Sequence, residues 1–258
     1  MSASSDKQAD RQEGWQAHII TLFPDMFPGP LGTSLSGRAL ETGAWACQAH
    51  DLRAFGTGPH RTVDDTPAGG GAGMVLRADI ASAALTETRN QAGDLPVLLP
   101  SPRGEPFTQK MAADLALGKG GVFMCNRFEG VDERFIEAHD LREVSMGDYI
   151  LSGGEMAVFA MLDAIIRLLP GVMGSSASHD EESFTDDLLE YPHYTRPASW
   201  QGRDIPAILT SGNHGEIAAW RRARAQEITA ARRPDLWARF IARNPAAAPK
   251  KPDDEKSG

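Results

Sequence analysis

A parallel α/β sheet covered by helices on both faces, followed by a small helical C-terminal domain, is the fold class the sequence predicts. Three observations predict it. Short, nearly continuous apolar runs at residues 18–23, 96–100 and 121–125 read as strands buried on both faces. Helix-like patterns alternate with these runs, the order expected of a parallel sheet. A small, polar, acidic stretch then separates this region from an arginine-rich segment with helical periodicity.

The elements follow in order. Residues 1–14 are polar and mixed in charge, lack the apolar run of a secretory signal, and are expected to form an extension. The α/β domain is expected over residues 15–173, with helices at 79–89 and 107–117 between the strands and at 155–169 after them. Ser152 and Glu155 have the spacing of a capping box, and Pro170 with Gly171 stops that last helix. Asp163 and Arg167 interrupt its apolar stretch, and no run reaches the roughly 18 apolar residues of a membrane span, so a soluble chain with no membrane partner is expected. Residues 174–190 read as a flexible linker and 191–243 as the helical domain. There Asn213 and Glu216 form a second capping-box pattern, opening a helix to about residue 230, and Pro234 opens a short helix bearing Leu236, Trp237, Phe240 and Ile241. Residues 244–258 hold too little apolar surface to fold alone and are expected to be a disordered tail.

Composition constrains function. The 258 residues carry 35 acidic and 26 basic side chains, a formal charge of −9, which at face value opposes a nucleic-acid partner. The distribution changes that inference. Residues 129–190 hold fifteen acidic against three basic side chains, whereas residues 191–243 hold nine arginines against four acids. Arg221, Arg222, Arg224, Arg232 and Arg233 are either a solvated helix with local acidic partners or a face for nucleic acid. The two cysteines, Cys47 and Cys125, form no CxxC pattern and read as core residues in a reducing cytoplasm. Histidines are scattered without HExxH, and no GxSxG is present, so neither a catalytic metal site nor a serine nucleophile is expected.

Glycine-rich loops carry the remaining signal. The run Gly69-Gly70-Gly71-Ala72-Gly73 has neither GxGxxG nor GxxxxGK[ST] spacing, which excludes a dinucleotide fingerprint and a Walker A loop. It is either a mobile turn or a loop that lets another backbone or a ligand approach closely. Three loops follow apolar segments: 101–104, 126–130 and 145–154. In an open α/β domain they are expected to converge beyond the carboxyl ends of the strands, where ligands bind. Backbone groups near 146–151 suit an adenine edge, and Gly153-Gly154 suits a closely approached ribose or amino-acid portion. Asp163 and Arg167, four apart on one helix, are either a local salt bridge or leave Arg167 as a cation directed at substrate.

Taken together, the motifs resemble a known family. In order they are Thr21-Leu22-Phe23-Pro24-Asp25-Met26-Phe27, His60-Arg61-Thr62-Val63-Asp64-Asp65, Gly69-Gly70-Gly71-Ala72-Gly73-Met74, Gly147-Asp148-Tyr149-Ile150-Leu151-Ser152-Gly153-Gly154-Glu155, Pro192-His193-Tyr194-Thr195-Arg196-Pro197 and Leu209-Thr210-Ser211-Gly212-Asn213-His214. This succession closely resembles the bacterial tRNA (guanine-N1)-methyltransferases over roughly residues 16–240. The resemblance implies a C-terminal trefoil knot in the α/β domain, an obligate homodimer, the tRNA anticodon stem-loop as partner, and methyl transfer from S-adenosylmethionine to N1 of the guanine immediately 3′ of the anticodon. It also implies magnesium dependence, although no magnesium ligand follows from the sequence.

The same resemblance places the cofactor at Ser101, Pro102, Gly104, Asn126, Phe128, Glu129, Gly130, Ser145, Met146, Gly147, Tyr149, Leu151, Gly153 and Gly154. It implies that Arg167 stabilises charge on O6 and that Glu182, where the family usually has aspartate, accepts the N1 proton. Asn126 and Phe128 also depart from the usual glycine and tyrosine. The linker is expected to order when substrate assembles the site across two subunits. Two other functions share these features: a knotted RNA methyltransferase acting on another base or a ribose, and a non-catalytic RNA-binding protein. Mapping the methylated nucleoside separates all three.

Overall fold

The computed structural model describes residues 14–173, 182–184 and 186–247. The extension at 1–13, most of the linker and the tail beyond 247 lie outside them. Backbone contacts divide the chain into two compact units, Met1–Gly174 and Ser175–Gly258.

The first unit contains a five-stranded sheet in the order β2-β1-β6-β5-β7, with every pairing parallel. Its strands are β1 (Trp15–Thr21), β2 (Trp45–Asp51), β5 (Val97–Pro106), β6 (Gly120–Met124) and β7 (Arg142–Ser145), while β3 (Asp64–Asp65) and β4 (Val75–Leu76) form a separate short antiparallel ribbon. Its helices are α1 (Ser34–Glu41), α2 (Ala78–Ala92), α3 (Gln109–Ala116), α4 (Glu133–His139) and α5 (Glu155–Ile166).

Side-chain alternation along the strands supplies two cores, as a sheet covered on both faces requires. Ile19, Leu98 and Phe123 pack on one face with Met111, Leu115, Val158, Leu162 and Ile165 from α3 and α5. Ile20, Leu99 and Met124 point the other way and pack with Ile80, Ala84 and Leu85 of α2 and Phe135 of α4. The buried Trp15 ring is anchored through its Nε1–H, which donates to the Leu115 carbonyl at 3.0 Å.

After β7 the chain returns inward. From the sheet edge it passes the carboxyl end of β5 and reaches that of β6, where the Gly154 N–H donates to the Asn126 carbonyl at 2.9 Å. It then enters α5 against the α3 face. The family resemblance places its trefoil knot in this C-terminal part of the unit.

Local chemistry corrects two expectations. The N-cap of α5 is Gly154 and makes no side-chain cap, because Glu155 turns into the core instead of back toward Ser152. The helix also ends at Ile166, not residue 169; the Leu168 and Leu169 N–H groups donate to the Ile165 and Ile166 carbonyls, tightening the chain toward Gly171 at φ +78°.

The second unit contains α6 (His214–Arg232), α7 (Pro234–Arg243) and a hairpin of β8 (Ser199–Trp200) and β9 (Arg203–Asp204). Asn213 caps α6 as expected, its side chain accepting from the Glu216 N–H. Leu188, Ala225 and Phe240 form the small core. The C-terminal end of the expected linker is therefore packed: Leu188 is buried, and the Asp187 carboxylate pairs with Arg239 and Arg243 of α7.

Candidate functional site

The second and third glycine-bearing loops leave the carboxyl ends of β6 and β7, whereas the first, 101–104, expected to follow its strand, is an irregular stretch inside β5 where the register on β7 shifts; the three meet around one cavity of about 230 Å³. Of the fourteen residues expected to hold a cofactor, thirteen line it: Ser101 and Pro102 from the first loop; Asn126, Phe128, Glu129 and Gly130 from the second; and Ser145, Met146, Gly147, Tyr149, Leu151, Gly153 and Gly154 from the third. Gly104 is not among the lining residues. A Cβ there would collide with the backbone of Glu143 and Val144, so this glycine serves the approach of β5 to β7.

Close packing shapes the cavity wall. A Cβ on Gly154 would lie 3.0 Å from the Cys125 Cα and 3.1 Å from the Asn126 nitrogen, and one on Gly153 would strike the Arg127 side chain. The Tyr149 hydroxyl donates to the Met146 carbonyl at 3.2 Å, folding the third loop on itself and leaving its tip, with Ile150, turned to solvent. The Ser145 hydroxyl accepts from the Gly147 N–H at 3.2 Å.

The glycine run makes a close approach at Gly73 alone, since a Cβ on Gly69, Gly70 or Gly71 would meet nothing within 4 Å. Gly69, Gly70, Gly71 and Gly73 all have positive φ, and a Cβ on Gly73 would overlap the Glu129 side chain. The Glu129 N–H donates to the Met74 carbonyl at 2.9 Å, and the Leu76 N–H to the Gly130 carbonyl at 2.9 Å. This loop therefore braces the second cavity loop from outside.

The cavity wall also holds a polar cluster that residue-by-residue sequence reading did not assign: Arg127 and Ser152 line the cavity, and Glu155 is buried behind them. Arg127 Nη2 lies 2.9 Å from Glu155 Oε2, and its Nη1 donates to the Ser152 carbonyl at 3.1 Å. Glu155, only 1% exposed, accepts a hydrogen bond at Oε1 from the Thr21 hydroxyl at 2.9 Å. The Arg127 guanidinium lies over the Phe23 ring, 4.5 Å from its centroid. Burial, followed by the nearby Glu155 charge, pushes the Cys125 thiol well above the usual thiol range, so it is a neutral core group as expected. The available sequence signal was Glu155, a lone carboxylate at the head of an otherwise apolar turn.

The two expected catalytic residues belong to different units. Arg167 is the half-buried C-cap of α5. Glu182 is half-buried in the second unit. Just after it, the Ser183 hydroxyl accepts from the Glu190 N–H at 2.9 Å and the Phe184 N–H donates to the Leu188 carbonyl at 2.8 Å. Asp180 and Glu181 lie outside the described residues.

The arginines of the second unit have mixed roles. Arg224 pairs with Glu227 at 2.8 Å, Arg233 with Asp235 at 2.6 Å, and Arg222 reaches Asp186 at 3.8 Å. Arg221 lies over the Tyr191 ring at 4.8 Å, while Arg232 is exposed. Among the described residues there is no group of three or more potential metal ligands, and no helix is long and apolar enough to cross a membrane.

Comparison with known proteins adds an independent line. The profile of the family described as tRNA (Guanine-1)-methyltransferase TrmD matches residues 15–239. The chain is 57% identical to a tRNA (guanine-N(1)-)-methyltransferase of Rhodopseudomonas palustris strain HaA2 over 244 residues, covering 94% of this chain and 96% of the relative. It is 58% identical to a protein of the same description from Gluconobacter oxydans over 229 residues, covering 89% of this chain and 97% of the relative. A third, from Bradyrhizobium diazoefficiens, is 56% identical over 249 residues, covering 95% and 98% respectively.

Proposed function

The chain belongs to the tRNA (guanine-1)-methyltransferase family, and from that premise we infer that it transfers a methyl group from S-adenosylmethionine to N1 of the guanine immediately 3′ of the tRNA anticodon. The observation that carries this reading is the convergence on one cavity of three segments, an irregular stretch within β5 and the loops after β6 and β7, all from parallel strands. The cavity fits the cofactor chemically. Gly147, Gly153 and Gly154 present backbone without side chains, Met146 and Leu151 offer apolar surface to a planar base, and the exposed Tyr149 and Phe128 stand at its margin. When bound, the cofactor supplies an electrophilic sulfonium methyl.

The protein supplies proton and charge management. N1 of neutral guanine carries a proton, so its attack on a methyl carbon requires that proton to leave. We assign its acceptor as the Glu182 carboxylate and assign Arg167 to O6, onto which negative charge spreads as N1 gives up its proton. We place these residues in one site through an obligate homodimer, the substrate ordering the segment that carries Glu182. Exposed Leu117 and Met156 in the first unit support a subunit face there. Arg221, Arg222, Arg224, Arg232 and Arg233 are assigned to the tRNA side, and the cytoplasm, where tRNA is found, is the location this substrate implies. The described donor groups hold no magnesium cluster, and no step is routed through that ion.

The test is single-turnover methylation of unmodified tRNA with labelled cofactor, followed by mapping of the methylated base. Glu182→Gln is expected to lower the rate by about 10²–10⁴ and Arg167→Ala by about 10²–10³, while Asp180→Asn and Glu181→Gln stay near wild type. Product at another nucleotide, or full activity in Glu182→Gln, rejects the corresponding assignment.

A further inference from the structure

We propose that Arg127 is a positioning residue that clamps the third cavity loop for cofactor binding, acting through Ser152 and Glu155 without touching the reacting atoms. The proposal rests on the methyl-transfer reading of the cavity. Its physical basis is the set of elements one guanidinium joins. Arg127 follows β6; Ser152 belongs to the loop after β7; Glu155 opens α5; and Phe23 follows β1, its N–H donating to the Thr21 hydroxyl that in turn donates to Glu155. The cluster therefore fastens the returning chain to two central strands at the place where it crosses them.

Three features make this a clamp and not a surface pairing. Glu155 is 1% exposed, and a carboxylate so buried is tolerated only with partners that satisfy its charge. Gly153 leaves no room for a Cβ beside Arg127, so the loop is moulded to that side chain. The planar guanidinium donates to the Ser152 carbonyl, sets its other terminal nitrogen against the Glu155 carboxylate as an ion pair and covers the Phe23 ring with its face, a combination that a lysine ammonium does not reproduce. Both Gly153 and Gly154, the backbone assigned to the cofactor, are bracketed by the two groups that Arg127 holds.

The consequence is a separation of binding from chemistry. Arg127→Lys retains a positive charge for Glu155 and is expected to keep a melting temperature near that of wild type, yet it loses the forked geometry. Its calorimetric Kd for S-adenosylhomocysteine and its KM for S-adenosylmethionine are expected to rise about tenfold, the scale of one charge-assisted hydrogen bond. Its kcat and its KM for tRNA are expected to remain within about threefold of wild type, a span below one hydrogen bond's worth. Amide hydrogen exchange at 149–154 in the ligand-free chain should accelerate in the variant. Exchange unchanged in Arg127→Lys, or a kcat loss with unchanged Kd, overturns the proposal. Should the wild-type protein methylate no tRNA, the functional reading fails by itself, and exchange in the ligand-free variant still decides the clamp. Glu155→Gln provides a second variant: the same loop should loosen, and protection equal to wild type counts against the clamp.

Discussion

Gly104 separates a binding residue from a folding residue. An alanine Cβ at that position meets the Glu143 carbonyl carbon and oxygen and the Val144 nitrogen, all backbone atoms of the neighbouring β7 segment. No side-chain rotation relieves the overlap; β5 and β7 must separate where the register already shifts between Pro100 and Glu105. Overpacking of this kind costs about 1–3 kcal/mol, and rigid backbone on both sides places Gly104→Ala in the upper half of that range. For a unit of this size, about 2–3 kcal/mol lowers the melting temperature by roughly 4–12 °C. The control is Gly153→Ala, whose Cβ would find its three nearest atoms in the flexible Arg127 side chain; its melting temperature should stay closer to wild type while its cofactor Kd rises. Thermal unfolding and calorimetric titration with S-adenosylhomocysteine measure both quantities. A Gly104→Ala protein that melts like wild type but binds the cofactor product weakly would refute the packing argument and return Gly104 to the binding set.

Other expectations use different probes. His18 and His50 lie 3.1 Å apart, nitrogen to nitrogen, and burial holds both below the usual histidine value of 6.5. The unfolded chain then binds protons more readily than the folded one, so stability present above about pH 6.5 is lost as pH falls toward the lowered folded values. His50→Gln should flatten the denaturant-measured stability profile as pH falls below about 6.5, and an unaltered slope would contradict it. Leu162→Ala removes a fully buried α5 side chain and should destabilise the protein by about 2–5 kcal/mol in urea titrations. Asp187→Asn removes the charge shared by Arg239 and Arg243 and should lower the stability of the second unit by about 1–3 kcal/mol, read from exchange at α7 amides.

Legibility in the sequence followed local chemistry. The strands at 18–23, 96–100 and 121–125 were readable because their apolar runs serve both cores, and the observed elements overlap each of them. β2 was not, because Trp45–Asp51 mixes Gln48, His50 and Asp51 into an edge strand that needs no continuous apolar run. β7 and α4 were missed for shortness: four and seven residues give too little periodicity, and α4 announces itself only through its cap, Asp132 accepting from the Arg134 N–H. The second and third cavity loops were legible as glycine-bearing segments after strands, whereas the first proved to be an irregular stretch within β5, and their convergence required the chain to return over β5 and β6. Connection rules derived from ordinary folds would have rejected such a path. Arg127 was hidden because a charged residue in a glycine-bearing loop reads as solvated until the distant Glu155 and Thr21 are placed beside it.

The same reasoning narrows the electrostatic argument. The overall charge of −9 averages an acidic middle segment with a basic second unit, yet several basic groups there are locally engaged. Arg224, Arg233, Arg239 and Arg243 each face a carboxylate within the unit. An arginine already paired contributes less to phosphate binding, since its partner must be displaced or carried into the complex. Exposed Arg232 should therefore contribute more to tRNA affinity than Arg224, although the two share α6. Arg232→Ala should weaken tRNA binding and reduce the magnitude of the log K against log salt slope by about 0.7–0.9, with a smaller change for Arg224→Ala. Equal slopes for the two variants would mean that local pairing does not select which arginines meet the RNA.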